Sequence, residues 1–170
     1  VAHLRTSPAG FERRLAHQHG TIPQLHRYTV RHADLACLPE AASIAAAARS
    51  NAINSLRVAA EALRVRSLVE AAGIETIAYK GAALAADLYG DIGARSYADV
   101  DLLVRPQNLA PAIDVLAAAG YAPDMDMIDH DVLLHDISSH HRPLRHPDRG
   151  IRVEVHGRPL SRSFPTSTEH

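Results

Sequence analysis

The sequence predicts an α/β (α+β) fold, a small sheet with flanking helices behind an N-terminal helical region, and three observations predict it. Apolar residues recur every three or four positions from Pro39 to about Ala72, the spacing of one long amphipathic helix. Asp99-Val100-Asp101-Leu102-Leu103-Val104 alternates with period two, the signature of a half-buried strand. Two extended runs, Asp136 to Leu144 and Ile151 to His156, flank Pro147-Asp148-Arg149-Gly150, a turn composition that argues for a β-hairpin.

Composition sets the bounds within which these elements must pack. A chain of 170 residues is long enough for one real core, and 46 % hydrophobic residues argue against disorder. A net charge of −1 gives no general electrostatic case for nucleic acid or an anionic membrane, so any nucleotide must be held by local groups. The lone Cys37 excludes an internal disulfide framework and suits a reducing compartment. No stretch approaches the ~20 consecutive apolar residues of a membrane span, and the N-terminus lacks a secretory apolar region. The expectation is a cytoplasmic protein. Alanine and arginine are abundant, whereas Lys80 is the only lysine.

Residues 1–73 read as the N-terminal helical region. Short helical pieces fall around Phe11 to Gln18 and Gln24 to Ala33, and Pro39 opens the long helix as a first-turn proline. Its apolar positions, Ile44, Ala48, Ala52, Leu56, Ala59 and Leu63, form one stripe, with a break expected near Asn51 to Asn54 and Gly73 as the C-terminal cap. Residues 74–160 read as the core domain. An apolar run from Ile74 to Tyr79 stops at Lys80-Gly81, a small helix and a Gly-rich loop with Arg95 follow, and then comes the Asp99 to Val104 strand. Pro106 begins a helix through Ala119, closed by Gly120. Residues 124–135 suggest a loop and a short helix, and 161–170 a polar tail.

Chemistry concentrates beside these strands. Asp99 and Asp101 share one strand face, with Cα atoms roughly 6 to 7 Å apart. Two carboxylates so spaced can converge on a hard cation such as Mg²⁺. A solvated strand face is the plain alternative, but aspartate is depleted in strands and these two flank a valine in an apolar run. Lys80-Gly81-Ala82 stands between a strand and a helix, where a glycine lets the backbone approach a phosphate and helix amides point at it; on these residues alone an ordinary strand-to-helix turn is the preferred reading. Arg95 offers a planar fork for phosphate oxygens, or is one more surface arginine. In Ile151 to His156 the apolar residues alternate with Arg152, Glu154 and His156. Twelve histidines are present without an H-E-x-x-H motif or a second cysteine, so a zinc site is not supported. His141 and His156 stand apart, because a hairpin can bring either near Glu154.

Lys80-Gly81, Leu88-Tyr89, Arg95, Asp99 to Val104, Gly120-Tyr121 and Val153 to His156 together resemble the polymerase-β-type nucleotidyltransferase superfamily. The closer likeness is to its poorly characterised branch with K-G, R, D-[IV]-D-L-L-V and V-E-[LV]-H motifs, and in outline it covers about residues 20–160. Two departures stand out: the superfamily usually has Gly-Ser where this chain has Gly81-Ala82, and the interval to the first Asp is longer here. The resemblance implies a small mixed sheet carrying Asp99, Asp101 and Glu154 as catalytic residues and as ligands of Mg²⁺ (or Mn²⁺). It assigns Lys80, Gly81, Ala82 and Arg95 to nucleotide binding. The implied reaction moves an NMP from an NTP, with ATP the expected donor, to an unknown hydroxyl-type acceptor, a small molecule or a protein, and releases pyrophosphate. No membrane partner is expected, and there is no strong nucleic-acid signal. Because the resembling branch continues with helices after its V-E-[LV]-H strand, a truncated form is implied. Two rivals remain: a non-catalytic nucleotidyltransferase-like binding module, antitoxin-like or scaffold, and an Asp-x-Asp glycosyltransferase, whose fold usually places several βα units before that motif.

Overall fold

The computed structural model describes residues 11–36, 39–124 and 141–159. Helices α1 (Phe11–Gln18), α2 (Ile22–Arg31), α3 (Ala33–Ala36), α4 (Pro39–Ala71), α5 (Gly81–Tyr89) and α6 (Leu109–Ala118) are joined by short 3₁₀ turns at Ile92–Ala94 and Pro106–Asn108. Strands β1 (Thr76–Tyr79), β2 (Asp99–Val104), β3 (Ala122–Pro123), β4 (His141–Arg145) and β5 (Arg152–His156) form one sheet in the order β1-β2-β5-β4-β3. The sheet is mixed, since β2 and β5 are parallel and the other neighbours antiparallel. Class and sheet are those the sequence predicts. The expected loop and helix beyond Asp124, the start of the hairpin run at 136–140 and the tail at 161–170 lie outside the described residues.

Two compact units form, Val1–Ala60 with Lys80–Ala98 and Glu61–Tyr79 with Asp99–His170. A division at residue 73 would place α4 in one of them; the helix contributes to both. It also runs unbroken through Asn51–Asn54. In the first unit Ala16 of α1, Ile22 of α2 and Ala48 of α4 cluster, with Leu25 and Ala47 packed on them.

The stripe read from α4 holds for Ile44 and Ala48, weakens at the half-buried Ala52 and Ala59, and fails at Leu56 and Leu63, which are 60 % and 66 % exposed. The buried side continues through Ser55 and Val58 in the first unit, and through Glu61, Val65 and Val69 in the second. A hydrophobicity pattern passes over Ser55 and Glu61 because they are polar. Glu61 can be buried because Tyr121 donates its hydroxyl to Oε1, while Arg64 bonds both partners. Tyr121 also meets His146 edge-on. The Gly120 that precedes it has φ +92, a backbone that favours glycine, and a Cβ there would stand only 3.0 Å from His146 Nε2, so the ring would have to shift.

The core of the second unit follows from period two. Val100, Leu102 and Val104 on β2, Val153 and Val155 on β5, and Leu144 on β4 are all buried. Each fully buried Val or Leu contributes about 1.5–3 kcal/mol, which fixes the strands' register because a one-residue slip would expose the whole set. Parallel pairing of β2 with β5 requires a crossover, and α6, with Ala112 and Leu116 fully buried, lies in it and packs on β5.

Candidate functional site

Burying the valines turns the polar residues to the opposite face. In the β2–β5 ladder Asp101 lies directly across from Glu154, Asp99 across from Arg152 and Leu103 across from His156. Tyr79 of β1 lies across from Asp101 on the other side. Asp101, Glu154 and His156 each offer a ligand atom there, and the three atoms all lie within 4.8 Å of one another. His156 Nε2 donates to Asp101 Oδ1 at 2.9 Å and stands 3.4 Å from Glu154 Oε2. The Tyr79 ring meets the imidazole edge-on, with centroids 5.3 Å apart and planes at 87°. Asp101 is 6 % and His156 8 % exposed, so the shared face is not the solvated one that alternation alone suggests. Two carboxylates and an imidazole in this space suit a divalent cation, since they supply two hard oxygens and one nitrogen.

Asp99 is half-buried and not one of the three converging groups. Its pKa is raised, first by burial and then by the charges of Asp101 and Glu154. Beside it Arg152 donates to Asp124 Oδ2 at 2.9 Å, as does Arg145, also at 2.9 Å. Burial would push the Asp124 carboxyl up, but the hydrogen bonds from Arg152 and Arg145 outweigh it and the pKa is lowered.

Lys80, Gly81, Ala82 and Arg95 belong to the other unit. Lys80 is exposed and caps α5 with φ +57 and ψ −149, a region close to glycine-only, and its carbonyl accepts the first helical bond from Leu84 at 2.8 Å. Gly81 is buried and Ala82 half-buried behind it. Arg95 is half-buried in a loop whose carbonyls are held one by one. Asn51 donates to the carbonyls of Gly93 (3.2 Å) and Arg95 (3.3 Å), Asn54 to that of Tyr97 (3.0 Å) and Gln24 to that of Ala94 (3.0 Å). The Tyr97 hydroxyl donates to the Ile92 carbonyl at 2.9 Å. Asn51 and Asn54, where a break in the helix was expected, therefore hold this loop from an unbroken helix; two asparagines three apart in an alanine-rich helix were the available signal. The motif residues Leu88 and Tyr89 are 61 % and 47 % exposed.

Among the described residues no helix is long and apolar enough to cross a membrane. Comparison with curated proteins and with solved structures gives no match. A family model described as "Uncharacterised nucleotidyltransferase" matches residues 13–169, which takes in the β2–β5 pair and the Asn-held loop alike. With a match across nearly the whole chain, the protein belongs to that uncharacterised nucleotidyltransferase family.

Proposed function

We propose that the chain transfers an NMP from an NTP, ATP being the expected donor, to a hydroxyl-type acceptor, with a divalent cation and release of pyrophosphate. The observation that supports this most is the β2–β5 register, which sets Asp101 against Glu154 with His156 beside them. Asp101 and Glu154 would hold the cation, and Asp99 adds a third negative group near it. When bound, the cation neutralises phosphate charge and orients the α-phosphorus for attack. The acceptor hydroxyl oxygen forms the new bond to that phosphorus while its proton passes to water, the bond to the bridging oxygen breaks, and its electron pair leaves with pyrophosphate. Lys80, the Gly81 and Ala82 amides and Arg95 are proposed contacts of the NTP. Their supporting features are the strained backbone at Lys80 and the pinned carbonyls around Arg95. Catalysis would rest on positioning and charge.

The test is pyrophosphate release from each NTP with Mg²⁺ or Mn²⁺ over a panel of hydroxyl acceptors. Glu154→Gln keeps shape and removes one charge, so turnover should fall by about 10² or more with little change in the unfolding midpoint. Full turnover in Glu154→Gln would overturn the reading. Ala82 in place of serine favours a second reading, a module that binds nucleotide without turning it over. NTP binding with no pyrophosphate from any acceptor would support that one.

A further inference from the structure

We infer that His156 is the third ligand of the Asp101–Glu154 site, and that this mixed oxygen and nitrogen set selects a first-row transition cation such as Mn²⁺ over Mg²⁺. The inference rests on the proposed cation site at those two carboxylates and names the class of ion it takes.

Position comes first. Glu154 and His156 are two apart on β5 and so share a face, and the ladder sets Asp101 opposite one and diagonal to the other. Nε2 is the ring atom turned toward both carboxylates, at 2.9 Å from Asp101 Oδ1 and 3.4 Å from Glu154 Oε2. Donors about 2.1 Å from one ion stand ~3 Å apart when adjacent and ~4.2 Å apart when opposite, so these atoms need only small shifts to share it. The ring is also fixed beforehand. Its side chain is 11 % exposed, and the Tyr79 ring packs on it from β1 in a T-shaped contact.

Ligand chemistry supplies the preference. Mg²⁺ binds oxygen, keeps much of its water and gains little from an imidazole, whereas first-row transition ions bind nitrogen more strongly. With Asp99 outside the converging trio, two carboxylates and a histidine are what the described residues bring together. Ligation by Nε2, with the ring proton on Nδ1, would replace the hydrogen bond to Asp101 rather than require a new conformation.

Mn²⁺ titrated into the full chain and followed by loss of the free-ion EPR signal measures affinity, and Mg²⁺ competition measures selectivity. Pulsed EPR of the bound Mn²⁺ reads a coordinated imidazole nitrogen directly, by its change on ¹⁵N-histidine labelling. The expected result is nitrogen modulation in the wild type that is lost in His156→Ala. Mg²⁺ should displace Mn²⁺ only at about tenfold or greater excess, and that preference should shrink by about tenfold in the variant. Bound Mn²⁺ without imidazole modulation, or a Mn²⁺/Mg²⁺ preference unchanged in His156→Ala, would overturn the inference and leave the carboxylate site standing. Binding of neither ion by the wild type would remove both. Should His156→Ala not fold, His156→Gln and the wild-type modulation decide the matter.

Discussion

Lys80 is the residue whose backbone and side chain pull in different directions. A non-glycine residue at φ +57 and ψ −149 costs about 1–3 kcal/mol, and folding tolerates this only where the surroundings impose it. Replacing it with glycine relieves the strain but adds about 0.5–1 kcal/mol of unfolded-state entropy, so Lys80→Gly should gain about 1 kcal/mol in urea denaturation. If Lys80 contacts the β- and γ-phosphates, the same variant should lose affinity for NTP more than for NMP, which lacks those oxygens. A more stable protein with unchanged NTP affinity would leave the strain without a function. Asp101 makes a contrasting case, because its buried carboxylate accepts from His156. Asp101→Ala should therefore lose about 1 kcal/mol of stability along with cation binding, as Glu154 remains to take the imidazole hydrogen bond.

At the scale of elements, α4 acts on the Arg95 loop through its asparagines. Asn51 spans two carbonyls and Asn54 one, so the helix fixes the loop's course together with the local turn in which Asp91 accepts from the Gly93 amide. Asn51→Ala removes two hydrogen bonds, each worth about 0.5–1.5 kcal/mol, and frees the backbone that carries Arg95. If Arg95 binds the NTP, Asn51→Ala should weaken NTP affinity about as much as Arg95→Ala does. The double variant should then lose little more, because both changes remove one positioned contact. Additive losses by calorimetric titration would show that Asn51 serves stability alone.

For the molecule as a whole, the titrating groups predict how stability of the cation-free chain depends on pH. Asp124 has a lowered pKa, so its contribution is complete above the ordinary 3.8 and is lost as pH falls through the folded value. Asp99 has a raised pKa, so its cost appears as pH rises from 3.8 through its folded value and persists at neutrality. In EDTA at about pH 7, Asp99→Asn should stabilise the fold and Asp124→Asn destabilise it by about 3 kcal/mol; near pH 3 both effects should shrink. Tyr121 is pushed from 10.0 up to about 12, first by burial and then by its bond to Glu61. Between those values the folded chain keeps a proton that the unfolded chain has lost, so stability falls as pH rises through that window. Tyr121→Phe should flatten that alkaline slope, which urea midpoints at about pH 9 and pH 11 would measure.

Much of the fold was legible because its signals are local. Period two outlined β2 and β5, Pro39 and Gly73 bracketed α4, and Pro147 to Gly150 marked the hairpin turn, each from a few consecutive residues. The two acidic positions on β2 and the one on β5 were visible in the same way, as the polar half of an alternation. What the alternation could not supply was the partner of β2, because parallel pairing with β5 is settled only when Val100, Leu102, Val153 and Val155 bury together across a long crossover. That register, and not any motif, brings His156 to Asp101 and leaves Asp99 beside the cluster instead of in it. The inward polar side of α4 was hidden for the same reason. Ser55 and Glu61 read as surface residues until the folded chain surrounds them, and Glu61 is buried only because Tyr121 and Arg64, 60 and 3 residues away in the chain, supply its hydrogen bonds.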